Sequence, residues 1–442
     1  MRTKFITILA FVFFISVNAQ DKKWTLQECV AYALDNNITI KQNKLNIEIS
    51  QENVNSSRGN FLPNLNASSS GSLNFGSGFD PVSQNRISTS IYGGSFGINS
   101  GMTVFNGYRN LNTYKQAKLG VEGSKLDLQK IQDDISLFVV NTYLNVLFAK
   151  ENLNVAKVQF EISTNQIENA KARVEAGVAP RGELLNAQSA AAADEQSVIS
   201  FENTLNLALL DLAQLLQIEP VGFDVVVMDV ESPSVALLYK NPNEVYEKAL
   251  SNRPEIKSAE LDIESADLSV AIAKASFMPS VSVGANVGTG YGFNLKNNSH
   301  IPFFTQLDDN LGYGLSFNLN IPIFNRNQTR SNVNRQLVNY EISKLGLDNQ
   351  KLQLRQTIQQ AFYDAKAAAK NFESAEKSLV AQKEAFKNAQ ESYNLGAMTQ
   401  FDFDQVRNRF VNAEGAIIRA KYDYVFKTKV LKFYYGEAIS LN

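Results

Sequence analysis

Residues 281–295 read VSVGANVGTGYGFNL. Val281, Val283, Ala285, Val287, Thr289, Tyr291, Phe293 and Leu295 fall on one side of a period of two, and Ser282, Gly284, Asn286, Gly288, Gly290, Gly292 and Asn294 on the other. Residues 311–323 repeat the pattern, with Leu311, Tyr313, Leu315, Phe317, Leu319, Ile321 and Ile323 set against Gly312, Gly314, Ser316, Asn318 and Asn320. One face is apolar and aromatic, the other small and polar. A soluble sandwich shows the same alternation. Strands longer than the ~9–11 residues that cross a bilayer favour a membrane barrel with lipid on the apolar face.

The same unit occurs twice. NFLPNLNASSSGSLNFGSG (60–78) aligns with SFMPSVSVGANVGTGYG (276–292), placing Pro63 over Pro279, and ALDNNITIK (33–41) aligns with ALSNRPEIK (249–257). Farther on, TVFNGYRN matches PIFNRNQT, with Phe105 over Phe324, and VEAGVAPRGELLNAQ (174–188) matches YNLGAMTQFDFDQ (393–405), with Gly177 over Gly396. Each copy predicts a helix, two alternating strands, a very long helix, a glycine turn and a returning helix. The strands are placed at about 64–80, 87–105, 280–295 and 311–324. Pro63 and Pro279 mark the change from helix to strand, and Gly107 the change from strand back to helix.

Four strands cannot close a barrel around water, because even eight leave an interior filled by side chains. The strands must be pooled between subunits. The helices show a different period: Leu354, Ile358, Ala361, Ala365, Ala368, Phe372, Ala375 and Leu379 follow spacings of four and three, and Leu128, Ile131, Ile135 and Phe138 begin the equivalent stripe in the first copy. A continuous helix over 108–175 would reach ~100 Å at 1.5 Å per residue.

The ends and the composition bound the compartment. Arg2 and Lys4 precede an apolar run from Phe5 to Val17, followed by Val17-Asn18-Ala19, so residues 1–20 are expected to be a cleaved export signal. The chain has 42 basic and 44 acidic residues, and loss of Arg2 and Lys4 takes the net charge from -2 to -4. That balance offers no footprint for a nucleic acid. Cys29, the single cysteine, is placed inside a helix, and the single histidine, His300, in a loop. No nucleophile-base pair, phosphate-binding glycine loop or metal cluster is evident, so neither catalysis nor a cofactor is expected.

WTLQECVAYALDNNITIKQ (24–42), the two F-[LM]-P junctions, VFNG and IFNR, and the two glycine turns resemble, in this order, the TolC family of outer membrane efflux proteins over essentially the whole mature chain. The resemblance implies an α+β membrane protein. Three chains would form a homotrimer whose 12-stranded β-barrel, four strands per chain, is continued by a periplasmic coiled-coil helical barrel with a small mixed equatorial region. The corresponding division is 21–217 for the first repeat, 218–243 for an equatorial segment containing the strand-like DVVVMDV, 244–436 for the second repeat and 437–442 for a tail. It further implies outer membrane lipid, a periplasmic adaptor and an inner-membrane pump of the RND, ABC or MFS type as partners.

Within that resemblance Gly177 and Gly396 mark hairpin turns at the periplasmic tip, with Arg181 and Thr399 beside them for adaptor contact. Carboxylates after the second turn ring the pore entrance in the family. The position six past the glycine is Asp402, and the family's second aspartate is replaced by Gln405. On a helix Gln405 shares the face of Asp402, whereas Asp404 points away. Glu183, the first-copy counterpart of Asp402, is expected to complete the ring. Thr399 with Asp402 also fits a helix cap. The reading is an exit duct for small molecules, with type I protein secretion or a passive porin as alternatives.

Overall fold

A computed structural model describes residues 23–79, 84, 86–227, 239–295 and 301–437. The export signal, His300, the end of the DVVVMDV segment and the tail beyond 437 lie outside the described residues. The element order is β1 (Lys23–Trp24), α1 (Leu26–Asn36), α2 (Ile38–Gly59), β2 (Asn64–Phe79), β3 (Arg86–Phe105), α3 (Arg109–Glu175), α4 (Arg181–Leu216), β4 (Asp224–Val225), α5 (Pro242–Asn252) and α6 (Pro254–Lys274). A 3₁₀ turn (Ala275–Phe277) follows, then β5 (Ser280–Asn294), α7 (Phe303–Asp309), β6 (Gly312–Asn320), α8 (Gln328–Asn394) and α9 (Gln400–Tyr435). The described residues form two compact units: those within 23–40, 131–252 and 355–437 make one, and those within 41–130 and 253–354 the other. Helices α3 and α8 contribute residues to both.

Counterparts keep their register. Helices α3 and α8 have 67 residues each and α4 and α9 have 36 each, with a constant separation of 219 (Arg109 to Gln328, Arg181 to Gln400). Each copy's entry helix is broken in two, which the sequence pattern did not suggest. Asn37 leaves helical geometry at ψ 130° and its Oδ1 accepts from the Thr39 N–H at 2.9 Å, capping α2. In the second copy Pro254 opens α6, and the preceding Arg253 is extended, as a residue before proline must be.

In the first unit the WTLQE motif has a local explanation. Thr25 Oγ1 accepts from the Glu28 N–H, and Glu28 Oε2 accepts from the Thr25 N–H, so α1 starts with two of its free donors satisfied. Strand β1 pairs in parallel with β4. Tyr143 of α3 is fully buried and its hydroxyl donates to the Val226 carbonyl at 2.8 Å, fixing this short sheet to the helix. Farther along, Ala365, Ala368 and Phe372 of the α8 stripe are buried, with Phe372 stacked on Tyr424 of α9. The α3 stripe departs from expectation: Ile135 is buried but Phe138 is exposed. Burial instead continues through Val139, Tyr143 and Leu147, because steps of four follow the helix face that packs.

The second unit holds a four-stranded antiparallel sheet in the order β2-β3-β5-β6. The registers Leu73↔Tyr92↔Phe293 and Ile98↔Val287↔Tyr313 join side chains of one face across the strands. Leu65, Phe75, Phe96, Ile98, Val287, Leu315 and Phe317 make this face apolar, and all are exposed. The opposite face carries Asn66, Ser70, Ser95, Asn99, Gly284, Asn286 and Asn318, with no charge among these positions. Strand β6 stops at Asn320, short of the expected 324, and Pro322 just beyond has no N–H to give a ladder. No helix among the described residues is long and apolar enough to cross a membrane.

The strand-to-helix junctions make one shape from different residues. Gly107 and Tyr108 have φ of 69° and 65°, and their counterparts Arg326 and Asn327 have 54° and 60°. An asparagine stands at each helix start: Asn106 Oδ1 accepts from the Asn110 N–H and caps α3, whereas Asn325 Nδ2 donates to Thr329 Oγ1. Only Gly107 is sterically required. A Cβ there would stand 2.8 Å from the Ala275 carbonyl oxygen and 2.9 Å from Met278 Cβ, while Arg326 is exposed. Gly107→Ala is therefore expected to lower stability by about 1–3 kcal/mol, and Arg326→Gly to hold or raise it, as thermal unfolding in detergent will report.

Candidate functional site

The two hairpin turns of the first unit are chemically alike. At the end of α3 the Gly177 N–H donates to the Val174 carbonyl and the Val178 N–H to the Arg173 carbonyl, both at 3.0 Å. At the end of α8 the Gly396 N–H donates to Tyr393 and the Ala397 N–H to Ser392 at 3.0 and 2.8 Å. Gly177 and Gly396 sit at φ 73° and 74°, the left-handed geometry that this helix stop requires. Two copies of one turn thus reverse two helices of equal length and start α4 and α9 in the same phase.

Beyond the turns the copies diverge. Thr399 caps α9: its Oγ1 accepts from the Asp402 N–H at 3.2 Å and donates to Asp402 Oδ2 at 2.7 Å. Asp402 and Gln405 are both exposed on one face, and Asp404 is half-buried on another, with Gln400 Nε2 donating to both its oxygens at 3.1 Å. Pro180 precedes α4 with no side-chain cap, and Arg181 is exposed at its first position.

Glu183 does not share the open setting of Asp402. Its Oε1 takes an ion pair from Arg173 at 2.9 Å and a hydrogen bond from the Tyr393 hydroxyl at 3.0 Å. Arg173 belongs to the same hairpin and Tyr393 to the other, so one carboxylate ties the α3–α4 hairpin to α8. Tyr393 is buried, stacked on Phe403 at 5.0 Å, and joined to Phe386 and Phe410 in an aromatic core between α8 and α9. Burial and the bond to Glu183 push its hydroxyl up to about 12, so it remains a donor across the physiological range.

A second tie was not foreseen from the sequence. Arg407 of α9 is buried; its Nη2 pairs with the Asp194 carboxylate of α4, and its Nη1 donates to Gln166 Oε1 of α3 at 3.3 Å. The signal was present in its spacing, because Phe403, Arg407 and Phe410 fall on one helical face. An arginine between buried aromatics has to find a carboxylate. The side chains at Pro63, Pro279, Phe105 and Phe324 belong to the sheet-bearing unit and have no part in this cluster.

Burial raises the Asp404 carboxyl above the usual carboxylate range, partly offset by the bond from Gln400 and the charge of Arg407. Its ionised form is thus penalised in the folded state, a cost absent below the unfolded pKa and complete above the raised folded one. Asp404→Asn is expected to raise the unfolding midpoint at pH 7 and to leave it nearly unchanged near pH 3, as measured by thermal melts across that range.

Comparison with known proteins accords with this geometry. The model of the outer membrane efflux protein family matches residues 30–216 and 245–437. The outer membrane efflux protein BepC of Brucella suis is 21% identical over 413 residues, covering 92% of this chain and 84% of its own. The CmeC outer membrane channel of Campylobacter jejuni superposes with a TM-score of 0.76 at 20% identity, covering 93% of this chain and 85% of that one. VceC of Vibrio cholerae superposes with a TM-score of 0.75 at 16% identity, covering 94% and 97%. These two likenesses are of fold. With the family matched through both copies of the repeat, the chain belongs to the outer membrane efflux protein family and is an efflux channel of the outer membrane.

Proposed function

We propose that three copies of the chain pool their strands into one 12-stranded barrel and serve as the exit duct for small molecules delivered by an inner-membrane pump through a periplasmic adaptor. The observation that carries this reading is the sheet with two open edges: among the described residues β2 and β6 each have one unpaired side, beneath an apolar face on which Leu65, Phe75, Ile98, Val287, Leu315 and Phe317 are exposed. A sheet edge left open in lipid costs several kcal/mol for each unpaired group, so the strands need neighbours, which other copies of the chain would supply. The uncharged polar face then lines water.

In this reading the hairpin ends form the entrance. Glu183, Arg173 and Tyr393 hold the two hairpins of each chain together and keep the entrance narrow. Asp402, exposed beside Gln405, faces the passage, and three copies favour cations. Gly177, Gly396, Arg181 and Thr399, with the exposed apolar side chains of Val178, Leu395 and Phe401, offer the adaptor a surface.

Single-channel conductance in a planar bilayer tests both roles. The Glu183→Ala, Tyr393→Phe double variant is expected to conduct several-fold more than the unsubstituted protein. Asp402→Asn is expected to keep the conductance and lose much of the cation preference. If both variants match the unsubstituted protein, the entrance lies elsewhere. A detergent-corrected mass other than three chains by sedimentation would overturn the pooled barrel.

A further inference from the structure

We infer that α7, the short helix between β5 and β6, is an interfacial anchor that seats in the outer leaflet of the membrane, with Phe304 and Ile301 in the lipid. Strand β5 extends to Asn294, but its pairing with β6 ends at Gly288↔Gly312. Past that point the edge of β5 is taken over by α7. The Gly292 N–H donates to Gln306 Oε1 at 2.8 Å, Asn310 Nδ2 donates to the Gly290 carbonyl at 2.7 Å, and Thr289 Oγ1 donates to the Leu307 carbonyl at 2.6 Å. Gln306 is buried in doing so. The side chains of Gln306 in α7 and Asn310 at its end therefore satisfy backbone groups that a missing strand would otherwise have paired, the requirement that lipid imposes and water does not.

The aromatic residues of α7 continue the apolar face of the sheet. Phe303 packs edge-on against Tyr291 at 4.8 Å, and Tyr291 contacts Tyr92 at 5.7 Å and Phe96 at 6.2 Å on that same face. Phe304 lies 5.3 Å from Phe303 and is 81% exposed, and Ile301 is also exposed. Asp308 and Asp309, at the end of the helix, are exposed and polar.

The height fits an interface. From Val281, opposite Phe105, to Tyr291 the strand runs ten residues; at about 3.3 Å each and a tilt near 40°, this spans about 25 Å, the apolar band of an outer membrane barrel. Phe105 and Tyr108, 5.4 Å apart, mark one rim, and the Tyr92, Tyr291, Phe293 and Phe303 group marks the other. Aromatic rings collect at both rims because their apolar bodies and polar edges suit the headgroup boundary. Continuity with the lipid-facing sheet assigns Phe304 and Ile301 to lipid.

A nitroxide placed at single cysteines tests this in the full chain reconstituted into phosphatidylethanolamine and phosphatidylglycerol vesicles. The native Cys29 is fully buried, and the unsubstituted protein reports any background labelling. Phe304→Cys is compared with Leu315→Cys in the middle of the apolar band and Asp309→Cys on the polar end. The expected ratio of oxygen to nickel-chelate accessibility at 304 is several-fold above that at 309 and below that at 315. A ratio at 304 equal to that at 309 would place α7 in water, and protection from both reagents would place it against protein; either overturns the proposal.

Discussion

Hydrogen-bonding groups of a strand cannot be left open where there is no water, and this chain brings four strands whose two outer edges have no strand partner among the described residues. The apolar face they share is largely exposed, and in the proposed assembly lipid covers that face while other copies of the same strands satisfy the edges. Family membership, the neutral polar inner face and the long helices are consistent with one another under this single requirement. Helix α7 is a local case of it, since it supplies side-chain partners where β6 is too short to supply backbone ones.

The helical hairpins meet a different constraint. Alanine-rich seams allow close packing but discriminate weakly between registers, and polar ties set the alignment. Glu183 with Arg173 and Tyr393, and Arg407 with Asp194 and Gln166, bind α3, α4, α8 and α9 through groups that lose most if displaced. In the proposed reading, opening at this end would have to break these contacts.

Duplication left its history in the differences between copies. The backbone shape is kept at both strand-to-helix junctions, by Gly107 where a neighbouring carbonyl leaves no room and by Arg326 where there is space. The position six past each turn glycine has separated in role: Asp402 completes a cap and stays exposed, and Glu183 is drawn into an ion pair within its own hairpin and a hydrogen bond from the other.

Much of this was legible in the residue order. Period-two alternation in 281–295 and 311–323, the four-and-three spacing of 354–379 and the glycines at 177 and 396 are local signals, because side-chain direction and left-handed backbone are decided within a few residues. The placement of Asp402 with Gln405 on one face, and Asp404 on another, follows from helix geometry alone. The pairing of Arg407 with Asp194, 213 positions away, does not. Neither does the capture of Glu183 by Tyr393, the exposure of Phe138 or the docking of α7 on β5. Each depends on which faces of distant elements meet and at what register, and packing of the folded chain alone decides that.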